Sequence, residues 1–465
     1  MPTTPTTAQI DAALAYADAH LEDSLGRLKD LVAIKSISTD PAYAGEVQRA
    51  ADWLVADLKS EGFDVSARKT PGHPVVVAHD PKGKGTHVLF YAHYDVQPVD
   101  PLNLWHTDPF DMQRIAQPDG ETHLVARGTS DDKGQLLTFT EACRAWRATM
   151  GSLPLNVTMT LEGEEESASV NLPVFLKSAK DELKADVALV CDTDLFDKNT
   201  PSITTMLRGL VGEEIVITAA DKDLHSGMYG NAARNPNQVL AEIIASLRNP
   251  DGSVALAGFY DDVDEVDATT MASWNSLGFD GAAFLKDVGL TKPAGEASRS
   301  VLEQTWARPT CEINGMIGGY TGDGFKTVIP AKASAKISFR LVSRMDPDKI
   351  RAAFRAHVQA RIPADCSVEF INHGGSPAVA VPTTGPYLAP ARAALTEEWG
   401  NECALRASGG SIPVAGDFKR ILGLDTLLIG YALADDRIHS PNEKYNLKSF
   451  HKGIRSWIRV LAALA

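Results

Sequence analysis

"THVLFYAHYDVQP", Thr86 to Pro98, is an apolar run that ends in an imidazole and a carboxylate. Val88-Leu89-Phe90-Tyr91-Ala92 has no charged residue, which suits a strand buried on both faces at the centre of a parallel sheet. His93 and Asp95 stand two residues apart and so point the same way along an extended chain. A strand running out into solvent ends alike. The meaning of this terminus therefore depends on what other segments bring to it.

Those segments spell an α/β domain. Residues 8–32 and 44–63 have helical periodicity, and short apolar runs follow at 75–78, 88–92, 155–161 and 187–191. Helical stretches at 134–149 and 171–180 lie between the runs, and strands alternating with helices imply a mostly parallel sheet flanked by helices. Near Gly209 the grammar changes. "GLVGEEIVITAA", "AKASAKISFRLV" and "CSVEFINHG" read as strands, with helices at 235–248 and 347–362 and a loop-rich stretch at 249–320. This β-α-β-β-α-β order predicts an inserted α+β module of ferredoxin-like type. The α/β pattern returns with a helix at 387–399, a strand at 426–430 and a helix at 447–465. The expected division is 1–208 for the first part of the main domain, 209–384 for the insert and 385–465 for the second part, with hinges near 207–209 and 383–385.

Composition excludes several classes. A chain of 465 residues exceeds one ordinary core and implies two or three domains. The net charge of −15 argues against nucleic acid as the main partner, since phosphate binding needs basic surface. No segment has the ~18 apolar residues of a membrane span. Five scattered cysteines without a C-x-x-C pair suit buried thiols in a reducing compartment. The first residues carry acidic groups where a signal peptide has basic ones, so a cytoplasmic location is the expectation.

Five polar clusters sit at likely strand ends: His93 and Asp95; Asp131 and Asp132 in "ARGTSDDKGQ"; Glu162 and Glu164 to Glu166 in "TMTLEGEEES"; Asp192 and Asp194 in "ALVCDTDLF"; and His439 in "DDRIHSPNEKYN". In an open α/β sheet such ends share one crevice. Carboxylates crowded there raise one another's pKa values, a conflict that divalent cations remove. Two histidines with several Asp or Glu suit zinc, or manganese in a more oxygen-rich site.

At these residues the sequence resembles the co-catalytic zinc peptidase family that includes carnosinase, cytosolic non-specific dipeptidase, carboxypeptidase G, aminoacylase, acetylornithine deacetylase and succinyl-diaminopimelate desuccinylase. "AHYDVQP", "RGTSDDKG" and "LEGEEES" match its signatures, and "LRGLVGEE", "DKDLHSGMYGN", "ASGGSIPV" and "HSPNEKYN" match its dipeptidase branch. The resemblance runs from about residue 20 to the end of the chain. It implies a zinc-peptidase catalytic domain interrupted by a lid and dimerisation domain.

Position by position, the resemblance implies that Asp131 bridges two divalent metal ions, zinc or alternatively manganese. His93 and Asp194 would complete one ligand set, and Glu166 and His439 the other. Glu165 would be the general base and Asp95 the partner of the His93 ring. A cis peptide is implied after Asp131. His225 would polarise the scissile carbonyl, reaching into the partner's site in a homodimer. Arg340 would hold the substrate carboxylate, with Thr327, Gly410 and Ser411 as further substrate contacts and His373 as a weaker candidate. Asp132, Glu164 and Asp192 are read as neighbours that tune the field or face solvent.

The implied activity is hydrolysis of dipeptides or short peptides with a free carboxylate. A deacylase or desuccinylase acting on N-acyl amino acids is the alternative within the family. An inactive member serving as a binding scaffold is the remote one, and no expected ligand is missing to support it.

Overall fold

The run Val88 to Ala92 is fully buried, as its composition implies, and its strand His87–His93 has parallel neighbours on both sides. The computed structural model describes residues 4–80, 85–381, 383, 385–410 and 412–465. These form two compact units, one of Met1–Thr205, Val381–Arg406 and Asp417–Ala465, the other of Met206–Ala380 and Ala407–Gly416.

In the first unit the sheet runs Asp64–Arg68, Val75–His79, Asn156–Glu162, His87–His93, Val187–Val190, Thr426–Leu428, Ser202–Leu207. The four strands from Asn156–Glu162 to Thr426–Leu428 are parallel, while the pairings outside them are antiparallel. The parallel centre takes the continuous apolar runs because helices cover it. Helix Lys133–Met150 and helix Leu447–Leu464 pack on each other over one face. Phe90 of the sheet stacks on Phe139, ring centroids 3.7 Å apart, and Trp457 meets both edge-on. Trp457 is fully buried, and Trp457→Ala is expected to cost about 3–5 kcal/mol, read as a lower denaturant midpoint at an unchanged slope.

The second unit's sheet has the order Thr310–Gly318, Lys332–Leu341, Gly209–Thr218, Ser367–Ser376, antiparallel throughout. With helices Pro236–Ala245 and Pro347–Gln359 in their places, this is the ferredoxin-like arrangement. Its alternating strands bury Val211, Ile215, Ile337 and Phe339 against Leu240, Ile243, Phe354 and Val358. Residues 407–416 group with this unit, whereas the sequence reading left them in the second part of the main domain. Thr384, at the expected boundary and hinge, lies outside the described residues.

The stretch 249–320 is less irregular than its glycines and aspartates suggest. Helices Ala268–Ser276, Gly281–Asp287 and Val301–Trp306 start behind Asp267, Asp280 and Ser300, whose side chains accept the first free N–H groups. Edge strand Thr310–Gly318 also falls there, broken by a register shift between Ile313 and Gly315. Among the described residues, all five cysteines are free, and no helix is long and apolar enough to cross a membrane.

Candidate metal centre

Three parallel strands end side by side in the first unit, and their carboxyl ends carry the polar residues. His93 closes His87–His93, Glu162 lies opposite it in register, and Asp192 follows Val187–Val190 by two residues. Asp131 arrives on the loop before helix Lys133–Met150. A Cβ on Gly134 would lie 1.9 Å from the Thr129 carbonyl oxygen, so only glycine lets the helix begin that close to the loop. His439 comes from a loop beyond Thr426–Leu428, with its backbone in the left-handed region at φ 61°. Asn442 ties that loop down by accepting the His106 N–H and donating to the Leu104 carbonyl, both at 2.8 Å.

Asp131 is the centre of the constellation. Its Oδ1 lies 3.1 Å from His93 Nε2 and its Oδ2 3.0 Å from His439 Nε2. The same His439 nitrogen is 3.2 Å from Glu166 Oε2. Ligand atoms fall into two groups sharing Asp131, namely His93, Asp131, Asp192 and Asp131, Glu166, His439, with all atoms of a group within 4.8 Å of one another. Tetrahedral ligands about 2.1 Å from a zinc ion sit ~3.4 Å apart, close to these separations. The Asp131–Asp132 peptide is cis, as the resemblance implies.

Asp192, expected to be a neighbour, comes within ligand spacing of His93 and Asp131, and Asp194, the expected ligand, also feels the Asp131 charge. Burial raises the Asp194 carboxyl, Arg406 opposes the rise and the Asp131 charge adds to it. The Asp194 carboxylate is 3.6 Å from Arg406 Nη1, and its main chain bridges to Ala432. The other acidic neighbours are engaged: Asp132 accepts the His93 N–H at 3.0 Å, Glu164 accepts from Asn171, and Glu162 accepts the Tyr91 hydroxyl at 2.5 Å.

Asp95 does more than face the ring. Its main-chain oxygen is 3.2 Å from His93 Nδ1 and its Oδ1 3.4 Å from the same atom. Its carboxylate also accepts the N–H groups of Glu165 and Glu166, at 3.2 and 3.0 Å. One buried side chain thus fixes both the imidazole and the turn with two acids. Gln97, missed in the sequence, donates to Glu166 Oε2 at 2.7 Å.

A second missed residue holds the Asp131 loop. Glu443 is fully buried and accepts the N–H groups of Gly128, Ser130 and Asp131, at 2.9, 2.9 and 3.1 Å, together with Arg127 Nη1 at 2.7 Å. Ser130 Oγ donates to Asp436, which pairs with Lys444. Glu443→Ala leaves a buried guanidinium and three N–H groups without their acceptor. The expected loss is about 3–5 kcal/mol in urea unfolding, and a change below about 1 kcal/mol would contradict this framework.

The electrostatics fit a cation pair. Burial alone would push His93 down, but the Asp131 and Asp95 carboxylates carry it well above the usual imidazole range. Hydrogen bonds to Asp131 and Glu166 raise His439 to about 10. Burial pushes Asp192 well up and also raises Glu166, to which Asp131 adds. Glu165 is pushed up to about 8, by burial first, with His93 opposing and Glu166 adding to the rise. In the chain alone, protons neutralise these crowded groups. Two divalent ions among two imidazoles and several carboxylates would replace those protons, and this donor set suits zinc.

The second unit carries the remaining candidates. His225 ends Leu224–His225, which pairs with Val328–Ile329, so it neighbours Thr327, whose carbonyl accepts the Ser226 N–H at 3.1 Å. The ring is exposed, and its Nδ1 accepts the Gly227 N–H at 3.0 Å, which leaves Nε2 as the outward donor. Arg340 lies on Lys332–Leu341, opposite Leu210 and Thr310. Gly410 is exposed and donates its N–H to Ser408 Oγ at 3.2 Å. Ser411 lies outside the described residues. His373 sits in a bulge beside Gly212, two residues from Leu210, and pairs with Glu214 at 2.9 Å.

Residues 89–463 match the model of peptidase family M20/M25/M40. The Cys-Gly metallodipeptidase dug1 of Schizosaccharomyces pombe is 29% identical, with 98% of each chain covered. The crystal structure of human carnosine dipeptidase 1 superposes with a TM-score of 0.85 at 26% identity, covering 99% of both chains. The metallo-carboxypeptidase Sso-CP2 of Sulfolobus solfataricus gives 0.84 at 30% identity, over 95% of this chain and 99% of that one.

Proposed function

The chain belongs to peptidase family M20/M25/M40, and on that premise we propose that it is a dinuclear metal-dependent dipeptidase acting on short substrates with a free carboxylate. The observation that carries this reading is the Asp131 carboxylate, whose two oxygens each face a different imidazole at 3.1 and 3.0 Å. His93, Asp131 and Asp194 would hold one ion, with Asp192 close beside them, and Asp131, Glu166 and His439 the other. The relatives named dipeptidases support the substrate class.

When bound, the two ions supply Lewis acidity toward the scissile carbonyl and lower the pKa of a water molecule. Glu165 takes the proton of the attacking water and delivers it to the leaving amine. Burial raises its carboxyl, which favours holding the proton between the two transfers. Asp95 keeps this base in register with the ligand beside it, since one carboxylate holds both N–H groups. His225 donates from Nε2 to the carbonyl oxygen as negative charge develops there, and it would do so across a homodimer. Arg340 fixes the substrate carboxylate through its guanidinium fork, with Thr327, Gly410 and Ser411 alongside. His373, beside Gly212 and paired with Glu214, would be a weaker substrate contact. The ferredoxin-like unit serves as lid and dimerisation domain, and the protein works in the cytoplasm.

Purified protein assayed on a dipeptide panel and an N-acyl amino acid panel tests this reading. Cleavage of dipeptides is expected. Cleavage of N-acyl amino acids alone would make it a deacylase, and cleavage of neither would overturn the proposal.

A further inference from the structure

The second unit contains a cavity of about 370 Å³ whose lining is unusually rich in guanidinium groups. Arg208, Arg248, Arg308 and Arg340 face it, against two carboxylates, Glu296 and Glu312. Both acids already lie against a cation. Glu296 takes a bidentate fork from Arg308, with both bonds at 2.9 Å, and Glu312 lies 3.7 Å from Arg248. The lining therefore carries four positive charges to two negative ones.

Arg208 and Arg340 come close enough to repel. Burial first, and then the Arg340 charge, pull Arg208 down to about 10, with Glu312 opposing, so it remains a cation at neutral pH. Arg208 is anchored as well as buried. Its Nε donates to the Gly409 carbonyl at 3.2 Å, and Nη1 lies 3.5 Å from the carbonyls of Gln304 and Arg308. A Cβ on Gly409 would lie 2.7 Å from Arg208 Nη2, so the glycine turn beside Gly410 is shaped around this guanidinium. Two like charges held together in a concave, half-buried place favour an anion between them.

This inference rests on the reading that Arg340 holds the substrate's carboxylate. A carboxylate fixed on Arg340 leaves the side chain of the same C-terminal residue in the cavity. A space of about 370 Å³ is at the small end for a ligand pocket, enough for one residue. We propose that the enzyme prefers dipeptides ending in Asp or Glu, with Arg340 taking the main-chain carboxylate and Arg208 the side-chain carboxylate.

The discriminating pair of substrates is Ala-Glu and Ala-Gln, equal in shape and different in charge. One charge-assisted hydrogen-bonded pair in a partly buried site corresponds to a preference of about 10-fold or more in kcat/KM for Ala-Glu. Arg208→Gln should bring the Ala-Glu to Ala-Gln ratio near one, mainly through KM. A wild-type ratio of one or below, or an unchanged ratio in a folded Arg208→Gln protein, would overturn the proposal. A second measurement needs no change at Arg208. Calorimetric titration of Glu165→Gln protein should show Ala-Glu binding about 10-fold tighter than Ala-Gln, with the difference shrinking at high salt. Equal binding, or none, would also overturn it. Cleavage of the panel without acidic preference sinks this inference alone. No cleavage, with the preference still present in binding, sinks the hydrolase reading alone.

Discussion

Glu165→Gln is expected to lower kcat on a cleaved dipeptide about 10²–10⁴-fold while leaving metal content unchanged. The amide keeps the size and one oxygen of the carboxylate, so the Asp95 clasp on the backbone N–H groups of 165 and 166 survives the exchange. What it loses is the ability to accept a proton. The ligand beside it, Glu166, keeps its contacts with His439 and Gln97. Metal analysis and steady-state kinetics on the same preparation separate the two roles. Loss of an ion together with activity would make Glu165 a ligand, and full activity would move the base elsewhere.

Asp194→Asn is expected to remove one of two bound ions and to cost at least about 10²-fold in kcat, because the proposed hydrolytic step uses both ions. Asp192→Asn should keep both ions and lose less activity. The pair of variants turns a register question into a measurement. Asp192 comes within ligand spacing of His93 and Asp131, and Asp194 lies between Arg406 and the charge of Asp131. If Asp192→Asn lost the ion and Asp194→Asn retained it, Asp192 would be the ligand.

That register is where alternation alone stops deciding. Asp192 and Asp194 have the same parity on an extended chain, so alternation cannot choose between them. The choice depends on how far the strand Val187–Val190 reaches before its chain bridges to Ala432. His93 and Glu166 follow apolar runs and Asp131 stands beside a helix start, where a parallel sheet collects its functional groups, whereas His439 lies on a loop well beyond Thr426–Leu428 and was marked chiefly by the resemblance. The framework below them was not legible. Glu443 meets Gly128, Ser130 and Asp131 across more than 300 positions, and nothing local marks an acid that caps a distant loop. The second unit repeats the lesson. Clean alternation exposed Lys332–Leu341, but Gly315 and a register shift hid Thr310–Gly318. Successive arginines of the cavity stand 32 to 60 positions apart and converge only through the fold.

On the proposed reading, two metal ions held around Asp131 make this protein a dipeptidase. Metal content per chain, measured by elemental analysis in parallel with dipeptide hydrolysis, tests it most directly. The protein would be measured as purified, after exhaustive chelation, and after return of zinc or manganese. The expected result is two ions per chain, with activity lost on chelation and recovered on return. Undiminished hydrolysis by protein stripped of metal would contradict the account.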